Sequence, residues 1–288
     1  KLVTAILRGL CKELRRAGTL FALEARQHAD QPDVWDTFPE YYEHVYDASS
    51  GERLDPDLVA KARRKEMDLI VTDLKAYEYD TVDNCYANTG KAPLPLIWVD
   101  VNKGDADVPD CRSRLVGREF NVGRDDNLYA ATPPLEALRW ILSYAGTWPR
   151  GRNRRRRCVM INDVRRAYFY AKIQRDVYID VPREDPHAGP DVLGKLRLCL
   201  YGTRDAAKGW QEELSQQLES IGFTRGVGHP SVFWNPERQI CTIVHGDDYV
   251  SSGADEDLLW LVGELAKAYE IKTQKLGSIK DGRGKVRC

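Results

Sequence analysis

The stretch "ICTIVHGDDYVSSG", Ile240 to Gly253, constrains the fold more than any other. Ile240, Thr242 and Val244 recur with the two-residue period of a strand. His245-Gly246 interrupts the run, Asp247 and Asp248 follow, and apolar character resumes at Tyr249 and Val250. A Gly-Asp step between two such runs reads as a tight β-hairpin, with both carboxylates at its tip. Read alone, it is an acidic turn. Read with a third carboxylate nearby, it is a place where a cation could be held.

Composition narrows the setting. A chain of 288 residues with 42% hydrophobic side chains can bury a core, which excludes disorder throughout. The net charge of −1 advertises no polyanion partner, although "RGRNRRRR", Arg150 to Arg157, is a local polycation. That cluster could contact nucleic-acid phosphates; a solvated loop is the blander reading and the one favoured here. Seven Cys at 11, 85, 111, 158, 199, 241 and 288 lack metal-ligand spacing, which argues against a zinc ribbon and fits reduced thiols in an intracellular protein. No apolar run reaches membrane-helix length and no signal peptide is visible, so no membrane partner is expected. The start at Lys1 suggests a fragment of a longer polypeptide.

Along the chain, residues 1–53 read as an upstream, partly ordered linker, with Leu2 to Gly18 able to form an amphipathic helix. "LDPDLVAKARRKEMDLI" is a helix with Asp55 as N-cap and Pro56 at its first position, Leu58, Ala62, Leu69 and Ile70 sharing a face. "LPLIWVDVNKGD" and "RSRLVGREFN" read as two strands joined by a polar turn. "TPPLEALRWILSYAG" carries a helical stripe of Leu135, Leu138, Ile141, Leu142 and Ala145. "CVMINDV" is a short strand that reaches Asp163. "DVYIDV" and "KLRLCLYG" read as a strand pair. "TRDAAKGWQEELSQQLESIG" is a long helix burying Trp210, Leu214, Leu218 and Ile221, with Gly222 as its stop. After the Ile240–Gly253 hairpin, "DEDLLWLVGELAKAY" is a last helix with acids in its first turn. The pattern from Cys158 onward is α+β, with helices on one face of an antiparallel sheet. No internal repeat stands out.

Three acids therefore sit at strand ends: Asp163, Asp247 and Asp248. Clustered carboxylates repel and become tolerable when a cation neutralises them. Hard oxygen ligands suit Mg²⁺ or Mn²⁺, and two such ions about 4 Å apart can hold the attacking and leaving oxygens of a phosphoryl transfer.

"WVDVNKGD", "RSRLVGREF", "DVRRAYFYA", "LYGTRDAAKGW" and "HGDDYV" occur in this order. Together they resemble the reverse transcriptase of copia-type LTR retrotransposons, over about Leu54 to Leu276. The resemblance implies an α+β right-hand polymerase of fingers and palm with the thumb largely absent, the palm an antiparallel sheet backed by helices. It places fingers at 54–157, palm at 158–276 with a fingers excursion near 173–200, and the start of a connection to thumb and ribonuclease H at 277–288. It implies that Asp163, Asp247 and Asp248 are catalytic and bind two Mg²⁺ or Mn²⁺ ions, helped by the Val164 carbonyl. Tyr168 falls where such enzymes set an aromatic ring against a ribose 2′-OH, which argues against a polymerase that makes RNA. Lys103, Arg112 and Arg114 become candidates to grip the triphosphate, either arginine serving. Tyr201 and Gly202 lie behind the nucleotide. The partners implied are an RNA or DNA template-primer and dNTPs, inside the cell.

The sequence also departs from the family pattern. His245-Gly246 replaces an apolar or aromatic residue followed by Val or Ala. Asp205-Ala206-Ala207 replaces Gln-Ala-Pro and sets a negative charge near the expected template path. Arg166-Ala167-Tyr168 replaces Asn-Ala-Phe. His245 reads as a packed strand histidine. An inactive relic that folds and at most binds nucleic acid is the alternative function. A nucleotide cyclase is a third reading, which the basic fingers segment speaks against.

Overall fold

A computed structural model describes residues 44–105, 107–119, 132–147 and 157–276. The expectations for Leu2–Gly18, for 150–156 and for 277–288 lie outside these residues. The described residues fall into two units, 44–118 with 176–196, and 119–175 with 197–276.

In the first unit, helix α1 (Pro56–Met67) begins as the sequence suggests. The Asp55 carboxylate accepts from the amides of Asp57 and Leu58, and Pro56 opens the first turn. Its buried face differs from the expected one: Val59, Arg63, Glu66 and Met67 point inward, while Leu58 and Ala62 are half-buried. The reason is ionic. The Arg63 guanidinium is buried against Asp100 at 2.7 Å and Glu184 at 3.2 Å, and it lies over the Trp98 ring. A face centred on a paired arginine is invisible to a hydrophobic pattern.

After a π-helical turn (Asp68–Asp73), strand β1 (Tyr77–Thr81) and helix α2 (Val82–Thr89) follow, neither of them expected from sequence. Strands β2 (Leu96–Asn102) and β3 (Cys111–Gly117) form the expected antiparallel hairpin. The expected pair near 176–200 also forms, between β5 (Tyr178–Asp180) and β6 (Val192–Leu196), but the second strand starts upstream of the "KLRLCLYG" segment. It joins β1 in the order β1-β6-β5. Gly194 allows this: a Cβ there would come within 2.8 Å of the Tyr77 ring.

The second unit is built on a six-stranded antiparallel sheet in the order β11-β4-β10-β9-β8-β7. Its strands are β4 (Arg157–Val164), β7 (Thr224–Arg225), β8 (Val232–Asn235), β9 (Ile240–His245), β10 (Asp248–Ala254) and β11 (Ile271–Leu276). One face carries Met160, Val164, Phe233, Ile240, Val244 and Tyr249. It packs against Trp210, Leu214 and Leu218 of α4 (Ala206–Ser220) and Leu258, Leu261 and Leu265 of α5 (Asp255–Ala268). The other face carries Cys241, Ile243 and Val250 and is covered by Ile141 and its neighbours on α3 (Leu135–Gly146). The sheet is thus flanked on both faces, not on one. Because β4 and β10 are interior strands, side chains of both parities need cover. In α3, Leu135 is left exposed and Tyr144 takes part in the packing.

Helix α4 starts at Ala206, later than the sequence suggested, and Gly222 follows its end at φ +89° as expected. Among the described residues, no helix is long and apolar enough to cross a membrane, and five cysteines are free thiols.

Replacing Arg63 by Ala would leave Asp100 and Glu184 buried without their cation. We expect a loss of about 3–5 kcal/mol in urea unfolding. A loss under about 1 kcal/mol would remove the ion pair from any role in holding α1.

Candidate active site

The site follows from strand register. Asp248, first residue of β10, lies directly across from Asp163 on β4 and from His245 on β9. Cross-strand neighbours share a face with their Cβ atoms about 5 Å apart. Alternation then puts Asp163, Asp248 and His245 on the same face as Ile161, Ile243 and Val250, the face that α3 covers further along the strands. Tyr249 and Asn162, one residue out of phase, point to the opposite face and are fully buried.

Asp247 is exposed at the tip. It shares a two-residue turn with Gly246, which has φ +61° while Asp247 does not have a positive φ. That is the pattern of a type II′ hairpin, whose first central position glycine fills without strain. The departure at Gly246 thus has a backbone rationale. The Asp247 carbonyl accepts from the Val164 amide at 2.9 Å, tying the turn to β4.

Three like charges leave an electrostatic mark. Burial, then Asp247, then Asp163 push the Asp248 carboxyl up to about 7. Burial lowers the pKa of His245, against the opposing pull of Asp247, so its imidazole favours the neutral form. The side chains are close enough to feel one another's charge. Among the described residues, however, no group of three or more His, Cys, Asp and Glu is gathered into a metal-holding cluster. The donor chemistry fits a hard divalent cation, whose charge would relieve the repulsion at Asp248.

Beyond Val164, Arg165 and Arg166 turn the chain into a 3-10 segment, Ala167–Tyr170. Tyr168 on it meets Tyr201 edge-on at 5.2 Å, and Tyr201 also meets Phe169 at 5.6 Å. Gly202 has φ +78°, so the turn itself requires glycine there. Tyr168, Tyr201 and Gly202 thus belong with the three aspartates in the second unit, whereas Lys103, Arg112 and Arg114 belong to the first. On β3, Arg112 and Arg114 share one face, opposite the buried Ser113 and Leu115; Lys103 is exposed just after β2. Asp205 does not present a bare negative charge. Arg175 bridges it at 3.0 Å to Glu119 at 2.5 Å.

Two neighbours of the site escaped sequence reasoning. Lys272 on β11 lies across from Asp163, on its carboxylate face. The signal was weak, because an exposed edge strand carries little hydrophobic alternation. Trp210, read only as core, donates its indole N–H to the Gly246 carbonyl at 2.8 Å.

A family model described as reverse transcriptase (RNA-dependent DNA polymerase) matches residues 78–284. A Retrovirus-related Pol polyprotein from transposon RE1 of Arabidopsis thaliana is 27% identical over 187 residues, 61% of this chain and 12% of that protein. The transposon Ty1-GR3 Gag-Pol polyprotein of Saccharomyces cerevisiae is 31% identical over 122 residues, 41% of this chain and 7% of that protein. The matched segment is about a tenth of the length of these curated relatives. These transposon polyproteins are in line with the resemblance that the order of the motifs carries.

A carboxyl held near 7 in the folded chain, above its ordinary value of 3.8, keeps its proton better than in the unfolded chain. Its contribution to stability is complete below about pH 4 and is lost as pH rises through 7. Asp248→Asn should therefore be more stable than the parent at pH 8, by about 2 kcal/mol with partial solvation allowed for, and equal to it near pH 4. Chemical denaturation at both pH values reads this, and a pH-independent difference would contradict it.

Proposed function

The chain belongs to the reverse transcriptase (RNA-dependent DNA polymerase) family, and from that premise we propose that it is a copia-type retrotransposon domain that extends a primer 3′-OH with deoxynucleotides, inside the cell. In this reading the second unit is the palm and the first supplies fingers. The observation that carries it is the pairing of Asp248 with Asp163 on two interior strands, with Asp247 at the adjoining tip.

Asp163, Asp247 and Asp248, with the Val164 carbonyl, would hold two Mg²⁺ or Mn²⁺ ions, which supply charge neutralisation and an activated 3′-oxygen when bound. The protein's own part is positioning. Interior strands fix Asp163 and Asp248, so these two carboxylates need little reorganisation when substrate arrives. Tyr168, braced by Tyr201, would present a ring to the sugar of the incoming nucleotide and leave no room for a 2′-OH. Gly202 would let the backbone come close to the base pair. Lys103 and either Arg112 or Arg114 would contact the triphosphate, Arg through two parallel hydrogen bonds and Lys as a point charge. The partners are then a template-primer duplex and dNTPs.

The second reading is a folded relic without activity. It is favoured by the three carboxylates not being gathered as they stand.

Primer extension on poly(rA)/oligo(dT) with Mg²⁺ or Mn²⁺ separates the two. The parent should incorporate dTTP, and Asp247→Asn should lose roughly a hundredfold or more. Equal incorporation by both would sink the site, and none by either would favour the relic. Tyr168→Ala should accept ribonucleotides more readily relative to deoxynucleotides. Unchanged sugar selectivity would take Tyr168 out of that role.

A further inference from the structure

We infer that Trp210 is a positioning residue that pins the aspartate hairpin, and with it the placement of Asp247 and Asp248 against Asp163, through the hydrogen bond from its indole N–H to the Gly246 carbonyl. The consequence for catalysis rests on the polymerase reading; the anchoring itself does not.

The bond joins the helix-packed side of the sheet to the hairpin tip. Trp210 sits on α4, which packs on the face opposite the carboxylates, yet its Nε1 reaches the Gly246 carbonyl oxygen at 2.8 Å. The residue is 1% exposed, and its ring meets Tyr269 edge-on at 5.2 Å and Tyr170 at 6.1 Å. A ring so enclosed has one orientation, so its donor is fixed in space. A buried indole N–H needs an acceptor somewhere. Here the acceptor is the residue directly before the aspartate pair, in a turn whose ladder pairing stops at His245 and Asp248.

The second carbonyl of the same turn is held as well. Asp247 O accepts from the Val164 amide, one residue beyond Asp163. The two turn carbonyls are thus tied to two different elements, helix α4 below and strand β4 beside. A two-residue hairpin tip is the part of a sheet that opens most easily. This one carries two like charges next to a third, which push it outward. The α4 tie opposes that push without occupying the carboxylate face, where substrate must come.

Two variants isolate the hydrogen bond from the packing. Trp210→Phe removes the donor and the smaller part of the ring system. Site-specific 3-benzothienylalanine at 210 keeps the bicyclic shape and replaces only the N–H. Hydrogen exchange at the Val164 amide reports whether the tip still rests against β4. We expect it to speed up about tenfold or more in both variants, the loss of one buried hydrogen bond, while exchange at Thr242 and Ser251 in the middle of the hairpin stays within about twofold. If the parent extends primers, both variants should also need several-fold more Mg²⁺ for half-maximal extension, with KM for dTTP little changed. Unchanged exchange at Val164 in the benzothienyl variant would overturn the inference. So would uniformly faster exchange across the hairpin with a lowered Tm, the mark of a packing role alone. Faster exchange at Val164 in both variants of a parent that extends no primer would leave the anchor standing and remove the polymerase reading instead.

Discussion

The antiparallel pairing of β4 with β10 is the constraint on which the second unit depends. Seven residue pairs run from Asp248↔Asp163 to Ala254↔Arg157. Within it, every second position serves the α4–α5 core and every other position serves the α3 core and then the carboxylates. A one-residue slip of either strand would exchange that strand's two sets. In β10 it would turn Asp248 under α4 and take Tyr249 out of that core, and in β4 it would do the same with Asp163 in place of Met160 and Val164. The hydrophobic cost of that exchange, several large buried side chains, is what holds two like charges opposite each other. Packing on one face thereby finances an unfavourable arrangement on the other.

The surroundings of the carboxylates share that burden. Lys272 stands across from Asp163 on β11, and the β4 amide of Val164 and the indole of Trp210 hold the tip. Burial, and after it the repulsion that is not relieved, appears at Asp248, whose proton is retained to about 7. Active sites concentrate such residual strain, because a group already compensated inside the fold would have less reason to bind a cation. The same logic separates Asp163, Asp247 and Asp248 from Asp185. The Asp185 carboxylate accepts from the hydroxyls of Tyr77 and Tyr79 and from the His187 amide. That buried acid is satisfied by its neighbours and reads as structural.

How far the sequence could be read follows from which interactions have a period. The hairpin at Ile240–Gly253, the Asp55 cap, the Trp210–Leu214–Leu218 stripe and the acidic first turn of α5 all rest on local rules, and each is found. What escaped rests on partners far along the chain. The inward face of α1 depends on Asp100 and Glu184 meeting Arg63. β1 is a strand because β6 offers it an edge, and β11 because β4 does. α3 was readable as a helix, but which face of the sheet it covers is set by topology and not by its own stripe. At the site, the order of motifs singled out three aspartates, and the strand register sets two of them, Asp163 and Asp248, side by side. The Gly246 contact of Trp210 could not be read from the sequence, because a core tryptophan and an anchoring one look alike until the acceptor is known.

The departures from the family pattern bear on whether this copy has decayed. A drifting sequence would place substitutions without regard to their surroundings. Asp205, in place of Gln, meets Arg175, which also bridges Glu119. Gly246, in place of Val or Ala, occupies a φ of +61° that suits it. Arg166, in place of Asn, is the costly one. Its φ of +58° is a left-handed conformation that Asn tolerates and a longer side chain adopts at about 1 kcal/mol. Even there the guanidinium lies 3.8 Å from Glu270, whose other oxygen meets Arg165. Of these three among the departures, Asp205 and Gly246 are matched by their surroundings and Arg166 is partly offset. The fold thus accommodates these departures through local charge pairing and backbone geometry.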